Sequence, residues 1–502
     1  MQRSPGSVGR AAAAAVLVLF GIAAAAADGA SGTLDFPVME HVLPNGLKLL
    51  ILPRRHVPQV VCRLTYRVGS VNERPGITGI SHILEHMMFK GTEAIGVKDA
   101  AKDRDLMERI EALAREIAAA QATPGSEAPA DLKERFEALR KKQDENLIPE
   151  ELWELYRKAG GTELNASTDY DATNYYVKLP AGMEELFFWL ESDRMANAVF
   201  RQFYPEIEVI REERRQRVED APTGRFAERL NALFFEAHPY RWPVIGYDED
   251  IARVTPRDLA EHYGTYYRPN NAHVTIVGDV DPAACIALAA KYFGRIPRGP
   301  DAPPPPICNP RGVGETRLRA AAPAPDRVIV YYPTPPEGHP DSLVMDCAAE
   351  VLNGSAGRLH KTLVLEAKLA VRVMAYNYTR RHAGLFGLTA IAAPGADLAK
   401  LEAALLAQAD DLTKNPPDAA ELARAKIRYE AHFAKQLETL MGTAELIADG
   451  EAATSWRDVA TYLPRLSRVT AEDIAGGARK YLGSERTIGV LTRATNAAAA
   501  RP

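Results

Sequence analysis

The chain has 502 residues, of which 46% are hydrophobic and 25% are charged, values typical of globular proteins. This length exceeds what one ordinary hydrophobic core accommodates and predicts at least two domains. The formal net charge of −5 gives no support to nucleic-acid binding, so we expect no nucleic-acid partner.

The first 27 residues (1–27) have the pattern of a secretory signal peptide. Arg3 and Arg10 form a positive segment, residues 11–22 an apolar one, and the alanine run at 23–27 resembles a cleavage site. An uncleaved membrane anchor is the alternative, but the apolar run is short for a span and rich in alanine. No later stretch is apolar enough to cross a bilayer. We therefore expect a periplasmic protein with no membrane span after signal cleavage.

Cysteine is sparse, and its spacing excludes a C-x-x-C metal site and a disulfide framework. The four residues are Cys62, Cys285, Cys308 and Cys347. Buried free thiols are the expected state, and a single Cys285–Cys308 disulfide is the alternative in an oxidising compartment.

The first structured segment, at 38–68, predicts β-strands. Apolar residues at 41–43, 47–52 and 60–68 recur with strand periodicity, and Pro44-Asn45-Gly46 between the first two runs is a hairpin signal.

Residues 82–86 spell H-x-x-E-H, and apolar residues at helical spacing through 80–88 predict a helix with Ser81 as its candidate N-cap. His82 and His86 are four apart and project from one face, so both ring nitrogens can reach one Zn²⁺. Glu85 lies beside that position and can take a proton from water. Two surface histidines beside an acid are the alternative, but polar side chains on a core-facing helix need partners, and a metal provides them.

Residues 99–158 predict a helical hairpin inserted into the first domain. Apolar residues are spaced 4-3-4 from Leu106 to Ile117 and 4-3 from Leu132 to Leu139, with a break at 123–126. A structural insertion is favoured over a partner-binding arm.

The rest of the first half predicts further strands and helices. Residues 160–179 alternate and are rich in threonine and tyrosine, which favours a hairpin near a sheet edge. Helices are predicted at 182–219, 226–236 and 282–293, and a strand at 272–279.

A proline-rich linker at 296–310 separates two domains, predicted at 37–295 and 311–495. The second domain repeats the order of the first, with predicted strands at 327–332, 372–393 and 487–491 and helices at 342–352, 398–412, 419–440 and 471–481. It contains no H-x-x-E-H. The predicted fold class is α+β, with two homologous-looking domains, each a mostly antiparallel sheet covered by helices.

A catalytic zinc ion usually has three protein ligands, and the charged run at 206–219 supplies candidates for the third. Glu206 and Glu213 are seven apart on one helix face, so one could bind zinc while the other orients a histidine. Glu208, Glu212 and Glu219 are further candidates, and a solvated helix face is the alternative. The residues alone leave this choice open.

Over about residues 37–295 the chain resembles the pitrilysin/insulinase family of zinc peptidases, and within it the half-length members akin to the mitochondrial processing peptidase β subunit. The matching motifs are the segments at 79–92, 165–168, 173–176, 209–213, 269–272 and 277–279. The resemblance implies one zinc ion per chain, bound by His82, His86 and Glu213. It also implies Glu85 as the catalytic base and Glu206 as the acid that orients a ligand.

The same resemblance implies that Asn165 and Ala166 lie on an edge strand to which a peptide substrate adds by β-augmentation. One departure concerns the Arg and Tyr that family enzymes contribute from the inactive half. Val364 and Val371 occupy those positions here, so a homologous zinc-less subunit, in a heterodimer, or a second copy is expected to supply these groups.

The expected function is therefore that of an exported zinc endopeptidase acting on peptides or unfolded segments within a chamber closed by pairing. The alternative is a non-catalytic scaffold subunit of a larger complex.

Overall fold

The computed structural model describes residues 36–121, 126–308 and 314–494. The predicted signal peptide at 1–27, the tip of the helical hairpin and the end of the predicted linker lie outside the described residues. Within the described residues, no helix is long and apolar enough to cross a membrane.

The strands form two sheets, one in each half of the chain. The first sheet contains β1 (Met39–Val42), β2 (Lys48–Pro53), β3 (Gln59–Tyr66), β4 (Thr162–Thr168), β5 (Thr173–Pro180) and β6 (Ala272–Gly278). The second contains β7 (Glu315–Ala322), β8 (Arg327–Thr334), β9 (Ala370–Thr379), β10 (Gly384–Ala392) and β11 (Arg486–Arg493).

Helices cover both sheets. In the first half they are α1 (Ile80–Met87), α2 (Ala100–Ala120), α3 (Ala130–Asn146), α4 (Glu151–Lys158), α5 (Glu184–Asn197), α6 (Phe203–Arg214), α7 (Gly224–Phe235), α8 (Asp248–Ile251), α9 (Pro256–Tyr266) and α10 (Pro282–Tyr292). In the second half they are α11 (Pro340–Leu352), α12 (Leu398–Lys414), α13 (Ala419–Leu437), α14 (Leu440–Ala453), α15 (Trp456–Ser467) and α16 (Ala471–Tyr481).

Five strands of the first sheet, β2 to β6, have the same topology as β7 to β11 of the second, which confirms the predicted α+β fold of two similar domains. The strand β1 is an additional edge strand of the first sheet. The first sheet has the order β1-β2-β6-β3-β5-β4 and the second the order β7-β11-β8-β10-β9. The β2–β6 and β7–β11 pairs are parallel, and every other pair is antiparallel. The helix α1 that carries H-x-x-E-H therefore corresponds to α11, and α6 corresponds to α13.

Each half also covers the sheet of the other. Period-2 alternation sends Leu49 of β2 into the main core of the first half, and Leu50 to the opposite face, where it packs with Ile447 of α14. In return, Leu230 of α7 packs with Leu491 of β11. The domains thus share buried apolar surface on both sides.

The predicted helical hairpin is present as α2 and α3, with its own buried seam around Leu106 and Leu139. Its base is closed where Lys98 N–H donates to Asn146 O at 2.9 Å. The helix α4, which also falls within 99–158, packs into the main core instead through Leu152 and Tyr156.

Several predicted elements differ from the structure. The predicted helix 182–219 is interrupted at 198–202, where Gln202 has a φ of 55°, and ends in a π-helical segment Arg215–Glu219. The predicted helix 419–440 ends at Leu437 because Thr439 caps the separate helix α14.

Residues 297–308 of the predicted linker form neither helix nor strand.

All four cysteines are free, so the Cys285–Cys308 alternative is wrong. Burial of the free thiols is confirmed for Cys62, Cys285 and Cys347. Cys308 lies in the linker and is exposed, contrary to the expectation.

Candidate metal site

The helix α1 is held at its N-terminus by a buried carboxylate. Glu73, which is 1% exposed, accepts hydrogen bonds from Gly79 N–H at 2.7 Å and Ser81 N–H at 2.9 Å. The predicted N-cap was wrong, because Gly79 takes that position with a left-handed φ of 89°. Ser81 is the second helical residue, and its hydroxyl lies 3.1 Å from His262 Nε2. A side chain at 79 would collide with Ile245 O, which explains the glycine.

The two histidines and Glu213 converge. Glu213 Oε2 lies 3.5 Å from His86 Nε2 and 3.9 Å from His82 Nε2. Among the described residues, this is the group of three whose ligand atoms all lie within 4.8 Å of one another. Tetrahedral zinc with bonds of about 2.0–2.1 Å separates its ligand atoms by roughly 3.3–3.4 Å. Two imidazoles and a carboxylate in this arrangement fit a zinc ion.

Burial keeps one of these ligands neutral. His82 is 7% exposed, and burial, followed by the nearby His86 and Arg217, lowers its pKa to about 3. A neutral imidazole has the free lone pair that a metal ligand requires. His82 Nδ1 has no hydrogen-bond partner in the described part of the chain.

His86 is oriented by Glu206, one of the predicted alternatives for the third ligand. His86 Nδ1 lies 2.8 Å from Glu206 Oε1 and must donate to it, which leaves Nε2 directed toward Glu213. Burial raises the pKa of Glu206, but hydrogen bonds from His86 and from Lys90 Nζ, at 2.6 Å, outweigh it and lower the pKa to about 2. Glu206 is therefore ionised and paired on both oxygens.

Glu85, the predicted base, lies on the same helix and is 9% exposed. Thr168 Oγ1 donates to Glu85 Oε2 at 2.6 Å. Burial raises the pKa of Glu85, although the hydrogen bond from Thr168 and the charge of His86 oppose it. A raised pKa brings a carboxyl group closer to the pH at which it both accepts and returns a proton.

Asn165 and Ala166 lie on β4, the edge strand of the first sheet, as predicted for 160–179. They pair with Tyr176 and Tyr175 of β5, while the other side of β4 pairs with no described strand. Asn165 Oδ1 accepts from Ala166 N–H at 2.9 Å.

Sequence reasoning missed Thr168, Lys90 and Arg217. Arg217 Nη1 lies 2.7 Å from Glu213 Oε1 and pairs with the ligand carboxylate from the following helical turn. The spacing Glu213 to Arg217 is an i,i+4 signal that was readable in the sequence. The Thr168–Glu85 contact joins residues 83 positions apart and has no local signal.

The corresponding place in the second domain carries different chemistry. On α11, Asp346 accepts from Tyr462 O–H at 2.6 Å, and Glu350 Oε2 pairs with Arg428 Nε of α13 at 2.9 Å. Val364 packs against the second core, and Val371 is 58% exposed at the start of β9. Neither valine can stabilise a charged oxygen.

Two segments match one peptidase family. Residues 50–123 match the family described as Insulinase (Peptidase family M16), and residues 253–429 match the one described as Peptidase M16 inactive domain.

Similar proteins and solved structures include proteases. Zinc protease PqqE of Helicobacter pylori is 26% identical over 462 residues, covering 90% of this chain and 91% of that protein. A protease structure from Helicobacter pylori has a TM-score of 0.76 at 25% identity, covering 91% of this chain and 99% of that one. The first half of the periplasmic protease PqqL from Escherichia coli has a TM-score of 0.67 at 19% identity, with 92% and 93% covered. In complete PqqL, this fold matches 50% of that chain. The chain described here belongs to the insulinase family of peptidases, peptidase family M16.

Proposed function

We propose that the protein is an exported zinc-dependent endopeptidase that hydrolyses peptides or unfolded protein segments. The observation that carries this proposal is the convergence of His82, His86 and Glu213 beside the buried carboxylate of Glu85. Relatives named zinc proteases support the same chemistry. His82, His86 and Glu213 would hold the ion, and bound zinc would supply a Lewis acid for the peptide carbonyl and for water.

Glu85 performs the proton transfers in this proposal. Thr168 holds Oε2, so Oε1 is the oxygen that accepts a proton from the attacking water and passes it to the leaving amine nitrogen. Glu206 and Lys90 keep the ring of His86 in one tautomer and one orientation. These side chains are largely buried, which excludes most solvent from the reacting bond.

The outer edge of β4 would bind the substrate. An extended peptide that adds to β4 as a further strand uses main-chain hydrogen bonds, which accounts for activity on unfolded segments rather than folded domains. Asn165 and Ala166 would contact the peptide backbone next to the site.

Export and pairing complete the proposal. The signal pattern at 1–27 supports export to a periplasm, as does the fold shared with the first half of the periplasmic protease PqqL. Val364 and Val371 supply no polar group, and one chain corresponds to half of complete PqqL. We infer that a homologous zinc-less subunit, or a second copy, completes the site. A fully active monomer in size-exclusion chromatography with activity assays contradicts the pairing.

Zinc content, measured together with cleavage of a quenched fluorogenic peptide, tests the function. Glu85→Gln is expected to retain zinc and lose turnover, whereas His82→Ala is expected to lose zinc. His56→Ala, at an exposed histidine away from the site, is the matched control and retains both. With the completing subunit present, zinc without cleavage indicates a zinc-binding protein, and neither zinc nor cleavage indicates the scaffold alternative.

A further inference from the structure

The catalytic base is held by a strand whose end is fixed by the other domain. Thr168, which donates to Glu85, is the last residue of β4. The turn that follows, 169–172, is the point at which β4 meets the second domain. Any displacement of this turn moves the Thr168 hydroxyl relative to the carboxylate of Glu85.

The turn contacts the end of β9 and the loop 380–383 between β9 and β10. Arg381 N–H donates to Asp171 Oδ2 at 3.2 Å, and Tyr378 O–H donates to Asp169 Oδ2 at 3.4 Å. His382 N–H donates to Tyr240 Oη at 3.2 Å, and that hydroxyl donates in turn to Asp171.

Arg380 inserts into an aromatic box made largely by the first domain. Its guanidinium carbon lies 3.6 Å from the ring centroid of Tyr170, 4.8 Å from Tyr240, 5.3 Å from Phe235 and 4.7 Å from Tyr378. Its buried Nε and Nη1 have no hydrogen-bond partner among the residues that the structure describes. The arginine is therefore held mainly by ring faces, a contact that depends on the planar shape of the guanidinium group.

We propose that Arg380 is a positioning residue for the hydrolysis. By packing against the ring of Tyr170, it holds the turn 169–172 in place. The turn then holds the Thr168 hydroxyl in the position from which it donates to Glu85. The second domain thereby takes part in proton transfer within its own chain, although it carries no metal ligands. This inference rests on the proposed function. If the contact serves only to join the domains, its removal lowers stability and leaves turnover unchanged.

The test uses the zinc-loaded full chain and a quenched peptide. Thr168→Val is expected to lower kcat by about 10- to 100-fold with little change in KM, because a base displaced by a fraction of an ångström loses its alignment. Thr168→Ser, which keeps the hydroxyl, restores kcat to within several-fold of wild type. Arg380→Met lowers kcat on the order of 10-fold with zinc content unchanged.

The double variant Thr168→Val/Arg380→Met decides whether the two residues act in one chain of contacts. Its kcat is expected to equal that of Thr168→Val alone. Arg380 acts on Glu85 only through the Thr168 hydroxyl, so its removal has no further effect once that hydroxyl is absent. Multiplied losses overturn the proposal.

Arg54→Met is the matched control, because Arg54 Nη1 also joins the domains, by donating to Leu437 O at 2.8 Å away from the turn. Its kcat is expected to stay within about twofold of wild type, and an equal loss in both arginine variants overturns the proposal. If Arg380→Met fails to fold, Arg380→Lys keeps the charge and loses the planar contact, with a several-fold loss of kcat expected. A wild type that stays inactive both alone and with its completing subunit contradicts the proposed function, whereas an active wild type with unaffected Arg380 variants contradicts this inference alone.

Discussion

Glu206→Gln is expected to weaken zinc binding by about 10-fold or more with the fold intact. The Glu206 side chain is 13% exposed and lies 2.8 Å from His86 Nδ1 and 2.6 Å from Lys90 Nζ. Glutamine still accepts from His86, but without a charge. Hydrogen bonds to charged groups contribute about 1.5–3 kcal/mol and neutral ones about 0.5–1.5 kcal/mol, so the difference is on the order of 1–1.5 kcal/mol. That corresponds to about 10-fold in zinc Kd.

Lys90 increases this loss. Once Glu206 is neutral, the ammonium group stands uncompensated beside a bound dication, so we expect a Kd increase between about 10- and 100-fold. Competition with a fluorescent zinc chelator at constant pH measures it. Glu208→Gln on the same helix is the control, because the side chain of Glu208 is 70% exposed and pairs only loosely with Arg211, at 3.3 Å. Unchanged zinc affinity in Glu206→Gln, or equal weakening in Glu208→Gln, refutes the reasoning.

Three further outcomes are expected. Asp103→Ala destabilises the protein by about 3–5 kcal/mol in urea unfolding, because Arg201, 2.6 Å away and 1% exposed, keeps a buried charge without its partner. Burial raises the pKa of Asp346 to about 7, above its ordinary 3.8, so the folded state holds the proton more tightly. The stabilisation that this group contributes is full below pH 3.8 and is lost as the pH rises to about 7. Asp346→Asn is expected to remove this pH dependence from the free energy of unfolding measured across the range. In the native protein, a thiol reagent is expected to modify Cys308 and spare the three buried cysteines.

Local patterns predicted the elements that set up the site. The hairpin around Pro44-Asn45-Gly46 and the helix carrying H-x-x-E-H were predictable because each signal lies within a few residues. The strand β7 was missed because its sequence, Glu315–Ala322, is rich in alanine and charged residues. It forms at the edge of the second sheet through pairing with β11, about 170 residues later, and such pairing leaves no local trace.

Among the predicted zinc ligands, two were predictable from local spacing and the third was not. His82 and His86 follow from spacing on one helix, but the choice between Glu206 and Glu213 depends on how α6 is rotated against α1. The sequence periodicity of α6 does not contain that angle, since both acids lie on one face. In the structure Glu213 faces Nε2 of both histidines and Glu206 faces Nδ1 of His86. Only the family resemblance separated the two residues.

The duplicated topology separates the contribution of the fold from that of the residues. Each domain places a helix directly after one of two equivalent strands, β3 or β8, and packs a second helix against it, so both provide the same frame for a metal site. In the first domain that frame presents two imidazoles and a carboxylate. In the second it presents Glu350 already neutralised by Arg428, and Asp346 hydrogen-bonded to a tyrosine hydroxyl. Glu350 is paired with a cation, and burial raises the pKa of Asp346 to about 7, so neither group is the ionised and unpaired carboxylate that a metal ion needs.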